Sequence, residues 1–323
     1  MNETGKDRES KNSMNHGIHN HDSGHVHAEE PLAARGLMFG IGLNLVIVAA
    51  ELVAGYLAGS LGLLSDAAHN FTDVGALALA WFGMAQARRP ATPSRTFGYH
   101  RMPILTAQIN AVVMVFVSAL IFFEAYHRLL APRPVGGGLV ITVAALALAV
   151  NMVTVLILQM RGSRDINIRS AVLHLLGDAA ASVGIIVSGT VIVLTAWYPI
   201  DPIISIILGL AIIWAAWQII KETLEIFLEQ APRAIDVDRL IEEMRREDGV
   251  LDIHDLHVWT IGSELYALSA HVLVDDVKVS ESSRILKDLK HMLLSNFGIV
   301  HATLEVEAVP CRELGPYCEI KRA

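Results

Sequence analysis

Charge is what this sequence has least of. Asp, Glu, Lys and Arg make up 18% of its 323 residues, where a soluble protein of this size carries about a quarter. With 53% hydrophobic residues and a mean hydropathy of +0.46, that deficit excludes an ordinary soluble globule. The charge that remains sits in loops and at one end of the chain, as in a polytopic membrane protein with a soluble appendix. Cysteine is scarce as well. Cys311 and Cys318 are spaced in a way that argues weakly for a disulfide and no better for a metal site. The first 35 residues are polar and no small-residue cleavage site follows the first apolar run, so no signal peptide is expected. The net charge of −8 lies mostly in the C-terminal third and constrains little.

Six apolar segments follow, at about 36–57, 62–87, 102–127, 136–160, 170–196 and 200–220. Each is near the roughly 20 residues a helix needs to cross hydrocarbon. They are separated by Gly59-Ser60, Arg88-Arg89-Pro90, Pro132 to Pro134, Arg161-Gly162 and Tyr198-Pro199. The fold class expected is therefore a polytopic α-helical membrane protein with six transmembrane helices. Basic residues set its orientation. Arg88, Arg89, Arg95, Arg101, Arg161, Arg164 and Arg169 lie in the second and fourth loops, against Arg128 and Arg133 in the third. That imbalance puts both termini in the cytoplasm.

Beyond about 221 the chain turns soluble. "IDVDRLIEEMRRED" reads as a helix capped by Asp236, and "VLDIHDLHVWTI" and "ELYALSAHVLV" as strands joined at Gly262-Ser263. "SESSRILKDLKHMLLSNF" reads as a helix starting at Ser280, and "VHATLEVEAV" as a third strand. An α-β-β-α-β unit covers one sheet face and leaves the other to a partner, so a dimer through this domain is expected. The organisation is then 1–35 disordered His-rich tail, 36–220 membrane domain, 221–310 cytoplasmic α+β domain and 311–323 tail.

Ionisable residues inside the spans are few, and an aspartate at mid-bilayer costs about 2.5–3.5 kcal/mol or more unless it is paired or wet. His69 and Asp73 are four apart, one turn on the same helical face, and His174 and Asp178 repeat that spacing in the fifth segment. If the two helices pack together, two imidazoles and two carboxylates converge, a full tetrahedral set for zinc. Two carboxylates neutralise one divalent cation, and imidazole favours zinc, cobalt or cadmium over magnesium or calcium. Protons compete for the same groups when the metal leaves. A hydrogen-bonded His–Asp network tying helices together is the alternative, and its repetition in two spans speaks against it. Asp66 falls on the same face as His69 and suits a supporting carboxylate. Asn44 and Glu51 share a face of the first segment and either line a cation path or join helices. Asn70, Asn110 and Asn151 suit interhelical hydrogen bonds.

The stretches "LSDAAHNFTDVGALALA", "FGYHRMPIL", "HLLGDAAASVG", "DPIISIILGLAI" and "IHDLHVWTI" resemble the cation diffusion facilitators, and among them the zinc-type bacterial efflux members. The resemblance spans about 36–310. It implies six transmembrane helices, a metallochaperone-like cytoplasmic domain, homodimers, and metal-for-proton antiport through His69, Asp73, His174 and Asp178. Members with Asp in place of the first His have broader or different metal preference, so His69 argues for zinc. A further metal site in the 2–3 loop, present in some members, is not expected from "RRPATPSRTFGYHR", which holds no acid and only His100. A long His-rich 4–5 loop, typical of eukaryotic members, is absent too, which favours a bacterial inner membrane.

In the cytoplasmic domain, a two-residue turn at Gly262-Ser263 sets His254 opposite His271 with Cβ atoms about 5 Å apart. Glu305 on the third strand could complete a zinc site there, and the resemblance also implies regulatory metal on this sheet. A packed core histidine is the other reading of His254. His257 is read as structural, and His291 and His301 as solvated or packed. The histidines of "HGIHNHDSGHVH" suit either a low-affinity zinc collector or a polar tail.

The expected function is proton-coupled efflux of zinc, with cadmium or cobalt also admissible, from the cytoplasm through a His2Asp2 site. The partners are zinc ions, protons, the lipid bilayer and a second copy of the chain. An enzyme is not expected: four protein ligands leave no open metal position and no HExxH pair exists. A membrane-bound zinc sensor is the alternative. The small acidic C-terminal unit does not suggest nucleic acid.

Overall fold

The computed structural model describes residues 30–160 and 166–309. The histidine tail, Arg161 and Arg164 in the 4–5 loop, and Cys311 and Cys318 lie outside them, as do the side chains of Asn44 and Arg169. Six long helices come first: α1 (Glu30–Ala58), α2 (Leu61–Ala87), α3 (Met102–Leu130), α4 (Gly137–Met160), α5 (Ile166–Thr195) and α6 (Ile200–Phe227). By length and composition, α3, α4, α6 and the Ala171–Thr195 stretch of α5 can cross a membrane, and Leu45–Ala58 of α1 is a shorter apolar helix. Asp66, His69, Asn70 and Asp73 make α2 more polar than its neighbours. Its first half is nevertheless among the more deeply buried parts of the bundle, with Leu61, Leu63, Ser65, Asp66, Ala67, Asn70 and Thr72 all inside.

The helix ends follow from the breaks in the sequence. Gly59 takes a left-handed conformation (φ 66°) after α1, and Ser60 caps α2, its Oγ accepting from Leu63 N–H at 3.3 Å. Ala54 and Ala58 of α1 pack with Leu63 of α2, Val140 and Ala144 of α4, and Ile185 and Ile192 of α5. α4 and α5 meet where two glycines face each other. A Cβ on Gly137 would stand 2.7 Å from the Gly189 carbonyl oxygen, the close backbone approach that small residues allow in a membrane. The expected end of the membrane segment at 220 falls within α6. "KETLEIF" holds no helix breaker, so the helix runs on to Phe227.

The C-terminal part comprises α7 (Val237–Arg245), β1 (Asp252–Gly262), β2 (Leu265–Leu273), α8 (Val279–Phe297) and β3 (Ile299–Glu307). The sheet order is β1-β2-β3, antiparallel between β1 and β2 and parallel between β2 and β3. Leu240 and Met244 of α7 and Ile285, Leu289 and Leu293 of α8 pack on Ile253, Leu256, Leu268 and Val272 of the sheet. Asp236 caps α7, accepting from Arg239 N–H at 3.2 Å. α8 begins at Val279 rather than Ser280 with no side-chain cap, because Lys278 stands at the cap position and offers no acceptor; Ser282 and Ser283 inside the first turns donate their hydroxyls to the Val279 carbonyl.

The hairpin differs from its expected form. Gly262 pairs with Leu265, so the turn residues are Ser263 and Glu264, and Glu264 is left-handed (φ 56°). Two irregularities in β1, between Thr260 and Gly262 and between His254 and His257, then shift the register back. Asp255, left-handed at φ 49°, marks the second, as a β-bulge would. The net result still pairs His254 with His271.

Candidate metal sites

α2 and α5 bring His69, Asp73, His174 and Asp178 together. His69 Nε2 lies 3.7 Å from Asp73 Oδ2 and 3.7 Å from Asp178 Oδ1. His174 Nε2 lies 3.4 Å from Asp73 Oδ2 and 3.8 Å from Asp178 Oδ2. The donors thus alternate nitrogen and oxygen around a ring, and each aspartate bridges both imidazoles. With zinc bonds of about 2.0–2.1 Å to N and O, tetrahedral neighbours stand roughly 3.3 Å apart. These four edges are slightly wider than that and longer than usual hydrogen bonds, and the ring is more open across its diagonals than a closed tetrahedron, since no three of its donors lie within 4.8 Å of one another. Asp73 Oδ2 and His69 Nδ1 are buried with no hydrogen-bond partner, a cost a cation or water would offset. The imidazoles meet edge to face, centroids 6.2 Å apart.

Access to the ring is uneven. His174 is 53% exposed while Asp178 is 8% exposed, and the α2 residues from Leu61 to Ala67 that precede His69 are nearly all buried. The ring is open on the side away from the N-terminal end of α2 and sealed toward that end.

That sealed end is held by a residue of the "DPIISIILGLAI" stretch. Asp201, at the start of α6, accepts from Ser60 Oγ, from Leu61 N–H and from Gly62 N–H, at 2.6, 2.6 and 3.3 Å. A carboxylate on the first N–H groups of α2 satisfies them and complements the helix dipole. Nearby, Asn70 reaches across to α1, its Nδ2 donating to Glu51 Oε2 at 3.2 Å. Asn110, expected to join helices, bonds within its own helix to Met114 Sδ instead.

A second cluster lies on the sheet. Among the described residues, His254, His271 and Glu307 are the one group of three donors all within 4.8 Å of one another. His254 Nε2 is 3.1 Å from Glu307 Oε2, and His271 Nδ1 is 2.9 Å from Glu307 Oε1. The expected carboxylate, Glu305, is 69% exposed and reaches only His271, at 3.6 Å. Glu305 is the backbone partner of His271 in the parallel ladder, yet Glu307, two residues on and on the same face, is the side chain that leans over both rings. The Asp255 bulge adds a further carboxylate 3.6 Å from His271 Nε2. Both features depend on strand register, which the sequence pattern left open.

The membrane helices and the sheet touch through the 88–101 loop. Arg101 Nη2 donates to Glu229 Oε1 and to the Thr260 carbonyl, at 3.2 and 3.3 Å. Phe97 stacks edge-on against His301 at 5.5 Å. His100 lies against the hairpin end at Gly262.

Residues 37–228 match the cation efflux transmembrane domain, and residues 232–309 the cation efflux protein cytoplasmic domain. The zinc transporter ZitB of Escherichia coli strain K12 is 37% identical over 305 residues, covering 94% of this chain and 96% of its own length. The metal cation efflux system protein CzcD of Cupriavidus metallidurans is 35% identical over 291 residues, 90% of this chain and 92% of that one. A cadmium, cobalt and zinc/H(+)-K(+) antiporter of Bacillus subtilis is 36% identical over 260 residues, 80% and 83%. These relatives are transporters rather than enzymes, and on two matched domains and this coverage the chain belongs to the cation efflux family.

Proposed function

We propose that the chain exports Zn2+ from the cytoplasm in exchange for protons, with His69, Asp73, His174 and Asp178 as the transport site. The alternating ring carries this reading: each imidazole nitrogen lies 3.4–3.8 Å from both aspartates, near the edge of a zinc tetrahedron. Two carboxylates against one divalent ion leave a neutral site inside the bilayer. The open side of the ring faces the end of α2 that leads into the arginine-bearing 88–101 loop, the cytoplasmic side by the positive-inside rule, with both termini on that side. Metal enters there. A rearrangement of α2 and α5 then opens the sealed side, and protons displace the metal from the same four groups. The names of the relatives, which include zinc alone and cadmium, cobalt and zinc together, support a borderline divalent cargo.

In the cytoplasmic domain, His254, His271 and Glu307 would hold a second Zn2+, and the uncovered sheet face would pair with another copy. Metal there would stiffen the dimer and couple cytoplasmic zinc level to transport. Equilibrium zinc binding to the full chain tests the membrane assignment. Native protein should bind one more zinc than Asp178→Ala and lose that zinc as pH falls. Equal stoichiometry in the two would sink it.

A further inference from the structure

Toward the sealed end of α2, one turn beyond the ring, sits a polar group the transport site leaves unused. Glu51 of α1 is fully buried at 0% exposed, and Asp66 of α2 is 3% exposed. Asp66 lies one turn before Asn70 on the same face of α2, and Asn70 reaches Glu51 across to α1, so the two buried carboxyls share the contact between α1 and α2. Asn70 Nδ2 donates to Glu51 Oε2 at 3.2 Å, while Glu51 Oε1 is buried without a hydrogen-bond partner. The charged groups facing the pair are Asp178, from α5, and Asp73, from α2, both acidic. Among the described residues, neither carboxyl has an arginine or lysine ion-pair partner. Two carboxylates buried in one helix contact of low dielectric do not both carry charge without a cation beside them.

The donors do not suit zinc or its borderline neighbours. Two carboxyls and an amide offer hard oxygen alone, with no imidazole or thiolate. The smallest cation that satisfies the pair is a proton.

We propose that Glu51 and Asp66 form a proton-carrying station of the exchange cycle, protonated while the ring is empty and deprotonated when it fills. This rests on the reading of the ring as the transport site. Asp66 precedes His69 by three residues, about 4.5 Å along the helix axis, so a dication in the ring repels the shared proton through a medium of low dielectric. The O–H bond breaks heterolytically, the electron pair stays on the carboxylate and the proton passes to water on the open side. When the sealed side opens and metal leaves, water on that side returns a proton to the pair. The station thereby couples metal charge to proton movement without being a metal ligand. Its position between the ring and the sealed end places it on the route by which returning protons arrive.

The test counts protons released per zinc bound by purified full-length protein in weakly buffered detergent solution with a pH indicator. Native chain is compared with Glu51→Gln and with Asp66→Asn, which keep side-chain size and the Asn70 contact. The cytoplasmic domain contributes equally to all three and cancels in the difference. Either variant should bind zinc within about threefold of native affinity and release about one proton fewer per zinc. An unchanged count in a variant that still binds zinc at the ring overturns the station. If both variants misfold, the infrared difference spectrum of native chain on zinc addition decides: loss of a protonated-carboxyl carbonyl band is expected, and its absence overturns the proposal. Equal zinc binding by native chain and Asp178→Ala would instead remove the transport reading beneath it.

Discussion

Asp201 accepts a 2.6 Å hydrogen bond from the hydroxyl of Ser60, 141 positions earlier in the chain. Together with the N–H groups of Leu61 and Gly62, this bond ties the start of α2 to α6. The helix that carries His69 and Asp73 is therefore fixed to α6 at its sealed end.

Asp201→Ala leaves buried N–H groups and the Ser60 hydroxyl without their acceptor. Each hydrogen bond to a charged group contributes about 1.5–3 kcal/mol, so the apparent melting temperature in detergent should fall clearly and zinc affinity at the ring with it. Asp201→Asn keeps an acceptor oxygen and should fall less. A thermal melt of the two variants beside native protein checks the order.

His69→Asp replaces nitrogen by oxygen and adds a negative charge to a neutral loaded ring. Discrimination for zinc over a harder ion such as Mn2+ should drop, on the order of tenfold, with transport retained. Competition of Mn2+ against zinc uptake measures this. Unchanged discrimination would mean that His69 does not contact the cargo.

Glu307 and Glu305 are separable in a chain whose membrane ring is disabled by Asp73→Ala. Glu307→Gln should weaken the remaining zinc binding at least about tenfold, because Glu307 lies against both His254 and His271. Glu305→Gln should change it little. The reverse order would restore the carboxylate that the strand pattern favours.

Gly262 is where the hairpin meets the 88–101 loop. A Cβ there would stand 2.8 Å from both the Cβ and the carbonyl oxygen of His100, and overpacking of this kind costs about 1–3 kcal/mol. Gly262→Ala should slow transport while zinc binding at His254 and His271 is kept. Unaltered flux would show that this contact does not carry coupling.

The parts of the fold legible in the sequence are those with short-range causes. The helices are announced by their apolar length and by Gly59, Pro90 and Pro199. The spacing of His69 with Asp73 and of His174 with Asp178 is a helical period, so the shared face needs no knowledge of tertiary structure. What stayed hidden depends on distant partners or exact register. Asp201 shows its role only beside Ser60. Glu51 and Asp66 read as separate polar residues until α1 and α2 pack. His254 faces His271 as expected, but through a turn at Ser263-Glu264 and two register shifts that no local signal foretold. Glu307, not Glu305, lies over both histidines although Glu305 is the ladder partner of His271, a choice made by side-chain packing on the sheet.

The most direct test of the central claim is zinc flux into proteoliposomes holding a zinc dye, with an imposed pH gradient, for native chain and Asp73→Ala. Gradient-dependent uptake by native chain and none by the variant is the expected result. Tight zinc binding by native chain with no flux would contradict transport and favour a sensor, and flux that survives in Asp73→Ala would put the cargo elsewhere than between α2 and α5.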